Sequence, residues 1–121
     1  MTAPFARLDA AGIALSALCI VHCLAVPLVA TGALAWAASE RIHVGLTVSL
    51  AAIVLIVAAP SYRRHRRPLV PTLLVSGLAI LVAALILGEA AGETAEVGLT
   101  VLSSVVLMAG HVLNLRLRPL T

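Results

Sequence analysis

The sequence predicts an all-α integral membrane protein: a four-helix bundle that crosses the bilayer four times, with both termini cytoplasmic. Three observations predict it. The 121-residue chain is 62% hydrophobic and only 11% charged, against about 25% charged residues in soluble domains. Its few charges are clustered. The gaps between the clusters reach the length of about 18 apolar residues that marks a spanning helix.

Four gaps give four helices. The first runs from Ala10 to Ala38 and predicts a helix over about 10–36, longer than a straight crossing needs. The second, Ile42 to Ala59, predicts a helix over about 42–60; the third, from Pro68 and Leu69 to Gly88, one over 68–88; and the fourth, Val97 to Leu115, one over about 96–115. Gly and Pro within these gaps do not argue against helix, since both are commoner in membrane helices than in soluble ones. Gly12, Gly77, Gly98 and Gly110 read as points of close helix approach. A cleaved signal peptide is the competing reading of the first gap. It fails because the apolar stretch far exceeds an h-region of about 7–15 residues, and because Ser16, Cys19, His22 and Cys23 lie in its middle.

The linkers are Ser39-Glu40-Arg41, the run from Ser61 to Arg67, and Glu89 to Glu96. They leave no room for a second domain, so residues 1–121 form one unit without an internal repeat. All eight basic residues are arginine, which with the Ala, Val and Leu richness points to a high-GC bacterial genome. Arg7 precedes the first helix, Arg63, Arg64, Arg66 and Arg67 join the second and third, and Arg116 and Arg118 follow the fourth. With four crossings these segments share one side, and only Arg41 lies on the other. The positive-inside rule then makes both termini and the Arg-rich loop cytoplasmic. Glu40, Glu89, Glu93 and Glu96 face outward, and the expected location is the bacterial inner membrane. The Arg-rich loop is too short and too poor in aromatics for a nucleic-acid surface, and no nucleic-acid partner is expected. It has the sign and place that topology requires and that anionic headgroups attract.

Chemistry concentrates on the first helix. Polar side chains inside a span are costly and therefore functional by default. In Cys19-Ile20-Val21-His22-Cys23 the cysteines are one turn apart on one face, with His22 flanking it. Asp9, Gly12, Ser16, Cys19, Cys23 and Pro27 continue that face in steps of three or four. Pro27 removes the hydrogen bond to the carbonyl of Cys23 and is expected to bend the helix there. Thiolates and imidazole select soft or borderline ions, Hg(II), Zn(II) or Cu(I), over hard Ca or Mg. On the fourth helix Met108, His111 and Asn114 recur every three residues. His111 completes a Cys₂His₂ tetrahedron with Cys19, His22 and Cys23, and Asp9 and Met108 are accessory candidates. Each also has a plain reading: cysteine as a small hydrophobe, His111 as an interhelical hydrogen-bond partner, Met108 as packing and Asp9 as the N-cap of the first helix. His43 reads as interfacial and His65 as solvated.

The segments Asp9-Ala10-Ala11-Gly12-Ile13, Ser16, Cys19-Ile20-Val21-His22-Cys23 and Pro27 resemble the opening of MerC-domain proteins. The run Tyr62-Arg63-Arg64-His65-Arg66-Arg67 and the ending Gly110-His111-Val112-Leu113-Asn114-Leu115-Arg116 are similar to that family too. The resemblance covers nearly the whole chain. It implies inward transport of a soft metal ion, with Cys19 and Cys23 as carriers. Mercury-operon members have closer first-helix cysteines, no such histidine, and further tail cysteines that this sequence lacks. These departures, and the harder imidazole ligand, bring Zn²⁺ and Cu⁺ beside Hg²⁺ as the expected ion.

The expected partners are the lipid bilayer and the transported ion, with room for a homo-oligomer and no permanent cofactor. Three other classes compete: a small proton-coupled multidrug-type exporter, a haem-binding subunit using His22 and His111, and a ligand-free structural protein. No nucleophile–base set or phosphate loop is present, so no enzyme is expected.

Overall fold

In the computed structural model, the described residues are 2–29 and 40–117, and they are helical apart from two short turns. The helices are α1 (Thr2–Val29), α2 (Glu40–His65), α3 (Leu69–Ala91) and α4 (Glu93–Arg116). Each contains a stretch long and apolar enough to cross a membrane, and no strand occurs among the described residues. The helices pack as a ring: α3 against α4, α4 against α1, α1 against α2 and α2 against α3. The chain is therefore an all-helical, multi-pass membrane bundle.

Burial is distributed as the bilayer demands. Large apolar side chains cover the outside: Leu55 is 72% and Ile86 70% exposed, surface that lipid tails rather than water would cover. An apolar core of Leu50, Val54 and Val57 from α2, Val70, Leu74 and Leu81 from α3, and Leu107 from α4 lies inside. Buried beside it are Asp9, Ser16, His43, Thr100, Ser103, Ser104, His111 and Asn114. In hydrocarbon a polar group does best where another helix can partner it, so the polar side chains sit on the faces the helices turn to one another.

Glycine sets two of the contacts. A Cβ on Gly77 would stand 2.8 Å from Leu107, and one on Gly110 would stand 2.8 Å from Leu74. Their absence lets α3 and α4 approach closely. Gly98, expected to do the same, faces open space.

The ends of the helices differ from the expectation. α1 begins at Thr2, well before residue 10, so Asp9 lies inside the helix rather than at its N-cap. Residues 30–36 and Arg118 are outside the described residues. Helix continues through Pro27 to Val29. α2 runs past Pro60 to His65, because only the carbonyl four residues back loses its partner and membrane helices tolerate that loss. The helix stops where Arg66 takes a positive φ of 53° and its N–H returns to the Tyr62 carbonyl at 2.8 Å, ahead of Pro68. Most of the Arg-rich run is thus the last turn of α2, and the loop is shorter than the charge pattern implied. The expected linker Glu89–Glu96 contracts further, to Gly92 alone. Gly92 has φ of 97° and donates to the Gly88 carbonyl at 2.9 Å. This contraction draws Glu96 into the first turn of α4, where a carboxylate suits the positive end of the helix dipole.

The Arg64 guanidinium lies 5.7 Å from the centre of the Phe5 ring, which sets the α2–α3 turn beside the start of α1. Asp9 of α1 meets Asn114 near the end of α4. Arg7, Arg63, Arg64, Arg66, Arg67 and Arg116 therefore gather at one end of the bundle, and Arg41, in the first turn of α2, lies at the other.

Candidate metal site between the first and fourth helices

Helix periodicity puts Ser16, Cys19 and Cys23 of α1 on a single face, and the fold turns that face toward α4. Cys19 is buried and Cys23 half-buried, and both are free thiols. Cys19 lies beside Ser104, and Cys23 lies beside Thr100 with the charge of Glu96 close by. These neighbours follow from antiparallel helices: one turn along α1 matches one turn back along α4. Ser104 is near the middle of the apolar stretch Thr94–Arg116, so Cys19 lies beside the middle of α4. Cys23 is one turn nearer the end opposite the arginines.

The hydroxyls along this seam are unusual. Ser16 Oγ, Thr100 Oγ1 and Ser104 Oγ are buried and make no hydrogen bond of good geometry. Two other buried hydroxyls turn back to their own helix, Thr47 to the His43 carbonyl at 2.9 Å and Ser103 to the Thr100 carbonyl at 2.8 Å. Buried polar groups without partners are rare in native proteins and call for an explanation. Here two of them face sulfur, Ser104 the Cys19 thiol and Thr100 the Cys23 thiol, so these hydroxyls are turned to whatever the thiols hold.

His22 is half-buried beside the pair on α1. His111 is engaged elsewhere. Its Nδ1 lies 2.8 Å from Asp9 Oδ1, and the Asn114 amide donates to Asp9 Oδ2 at 2.7 Å. Asp9, His111 and Asn114 are all essentially inaccessible. The other imidazole nitrogen, Nε2, packs against Gly12, where a Cβ would come within 2.3 Å of it. Position 111 is thus a clasp between α1 and α4, about two turns from Cys19 along the bundle. Met108 is half-buried. Among the described residues no three His, Cys, Asp or Glu side chains are placed to hold one metal ion, so the Cys₂His₂ tetrahedron is not assembled here.

Two contacts escaped the sequence. Asp9, by sequence an accessory metal candidate or the N-cap of the first helix, instead anchors the clasp. His43, read as interfacial, is buried, and its Nδ1 lies 3.5 Å from Glu96 Oε1 across the bundle. The signal for Asp9 was present in its helical register with Gly12 and Ser16. For His43 and Glu96 no sequence signal pairs them. Two grooves on the outer surface, one along α2 by Val44 and Val48, the other along α3 by Val75, Val82 and Ile86, hold none of these residues.

Comparison with known proteins agrees with this architecture. No curated protein and no solved structure matches the chain. The family model described as MerC mercury resistance protein matches residues 9–116, an interval that opens at Asp9, includes both cysteines and closes at Arg116. With four spanning helices and a match over nearly its whole length, the chain belongs to the MerC mercury resistance family.

Proposed function

We propose that this protein carries a soft metal ion inward across the bacterial inner membrane, mercuric ion foremost and Zn²⁺ or Cu⁺ as related cargo, with Cys19 and Cys23 as its ligands. The observation that carries the reading is the pair of free thiols one turn apart on the face of α1 that meets α4, beside hydroxyls that have no other partner. One thiolate alone in hydrocarbon is an isolated charge and strongly unfavourable. Two thiolates neutralise one divalent ion, so ion and ligands cross the apolar region as a neutral unit. The thiols lose their protons as they bind. Ser104 and Thr100 supply hydrogen bonds to sulfur at each step, and His22 adds a borderline nitrogen donor at the edge of the pair. In this reading the arginine-bearing end is cytoplasmic, and the ion passes from Cys23 to Cys19 and on past Ser16.

A second reading is favoured by one observation. Asp9 is a carboxylate buried within the first helix, the kind of group that proton-coupled membrane carriers use. Coupling of metal movement to a proton at Asp9 is compatible with the thiol pathway and adds to it.

Expression in bacteria without a mercuric reductase tests the main reading. Uptake without detoxification should make the cells more sensitive to mercury. Cys19→Ser and Cys23→Ser should each remove most of that sensitivity, and His22→Ala should weaken it or shift the preferred metal. Sensitivity that survives both cysteine substitutions at equal expression would refute the carrier role.

A further inference from the structure

At the end of the bundle opposite the arginine cluster, where Arg41 opens α2, His43 of α2 meets Glu96 of α4 diagonally across the ring. We propose that these two side chains form a second cation site, a landing station that takes a hydrated divalent metal ion by imidazole and carboxylate and hands it to Cys23; the handover, though not the site, rests on the carrier reading above. Four observations support it. The Nδ1–Oε1 distance of 3.5 Å is too long for a good hydrogen bond, which lies at about 2.7–3.2 Å. It is close to the separation of about 3.4 Å between N and O donors on a tetrahedral Zn²⁺ with bonds of about 2.0–2.1 Å. His43 is buried, and the partner the structure gives its ring is this carboxylate at Nδ1, Nε2 having none, so the Nδ1 edge is the side on which the ring can take an ion. The Glu96 side chain is 35% exposed, against 9% for His43, so the carboxylate is reached from outside and the imidazole lies behind it. Finally, the Glu96 carboxyl fills the space where Gly88 of α3 has no Cβ, which holds it over the mouth of the seam.

The placement gives a graded path. Glu96 is the charged neighbour of Cys23, and Thr100, one turn further along α4, lies beside the same thiol. An ion arriving with its water shell meets first a carboxylate oxygen, then an imidazole nitrogen, then sulfur, so each exchange offers a softer ligand than the last. As Cys23 takes the ion, its thiol proton is lost to solvent at the open edge beside Glu96, and no redox partner is needed. The donor set suits borderline divalent ions such as Zn²⁺ as well as Hg²⁺, and discrimination between them is left to the thiols deeper in.

Zn²⁺ binding to the full-length chain carrying Cys19→Ser and Cys23→Ser tests the site apart from the carrier reading. One weak equivalent should remain, and His43→Gln or Glu96→Gln should each lower its affinity at least tenfold. A cysteine-free protein that binds no Zn²⁺, or an affinity unmoved by both substitutions, overturns the site. A purely structural tie between α2 and α4 predicts a different pattern, in which the Gln variants lose thermal stability and leave metal affinity unchanged. With the cysteines restored, Hg²⁺ uptake into vesicles by His43→Gln should show KM raised about tenfold with kcat within about twofold. If cysteine substitution abolishes uptake while His43→Gln leaves KM unchanged, the landing station fails and the carrier stands. If uptake survives without cysteines, the carrier and the handover fail together, and the Zn²⁺ measurement still decides whether the site exists.

Discussion

The volume that a side chain at Gly12 would take is already filled by the ring of His111, and this fixes what position 12 can be. A Cβ there would come within 2.3 Å of Nε2, and the imidazole is held on its other side by Asp9. Gly12→Ala must therefore either displace the ring or spread α1 from α4. Overpacking of this kind costs about 1–3 kcal/mol, and a matching loss of thermal stability in detergent is expected. Asp9→Ala removes the acceptor for both His111 and Asn114. Breaking a buried pair in a soluble protein costs about 3–5 kcal/mol, whereas interhelical hydrogen bonds in membranes average about 0.6 kcal/mol. Two contacts are lost and the unfolded chain in lipid finds other partners, so a cost of about 2 kcal/mol is predicted for Asp9→Ala. Thermal unfolding of the purified variant measures it, and a change within about 0.5 kcal/mol would contradict the clasp.

At the scale of the helices, four crossings were legible because the bilayer imposes them: charged residues are excluded from hydrocarbon, so charges mark the ends. The cysteine face of α1 was legible for a similar reason, since Ser16, Cys19 and Cys23 interrupt an otherwise apolar helix. Which helix that face meets was not. These helices are apolar nearly all round, and periodicity then names a polar stripe without naming its neighbour. The partners Ser104 and Thr100 emerged only once α1 and α4 were seen to run antiparallel in contact. The contraction of the Glu89–Glu96 linker was hidden too, because glutamates look like loop where the helix dipole in fact favours them in a first turn. A prediction follows for the seam. Thr100→Val and Ser104→Ala remove hydroxyls that make no hydrogen bond of good geometry within the protein, so stability should change by less than about 1 kcal/mol. Affinity for a thiol-bound metal should fall severalfold, because the thiolates lose their nearest donors. Titration of Hg²⁺ or Zn²⁺ against each purified variant checks this. A large loss of stability with unchanged metal affinity would make the hydroxyls structural.

For the whole molecule, the bundle reverses the soluble arrangement: apolar side chains face outward, and the ionisable pairs Asp9–His111 and His43–Glu96 lie toward opposite ends of the polar seam. α1, with 28 residues, is about 42 Å long against a hydrocarbon core of about 30 Å, so it must tilt or reach into the headgroups. The gathering of arginines at one end predicts orientation. In single-cysteine variants of a Cys-free background, an impermeant reagent added from outside should label position 92 and not position 66; the reverse would invert the topology. The central claim, that two thiols on α1 together carry the ion, is tested most directly by Hg²⁺ uptake into vesicles holding equal amounts of the unaltered protein or the Cys19→Ser/Cys23→Ser variant. Saturable uptake by the first and background uptake by the second is the predicted result, and equal uptake by both would contradict the account.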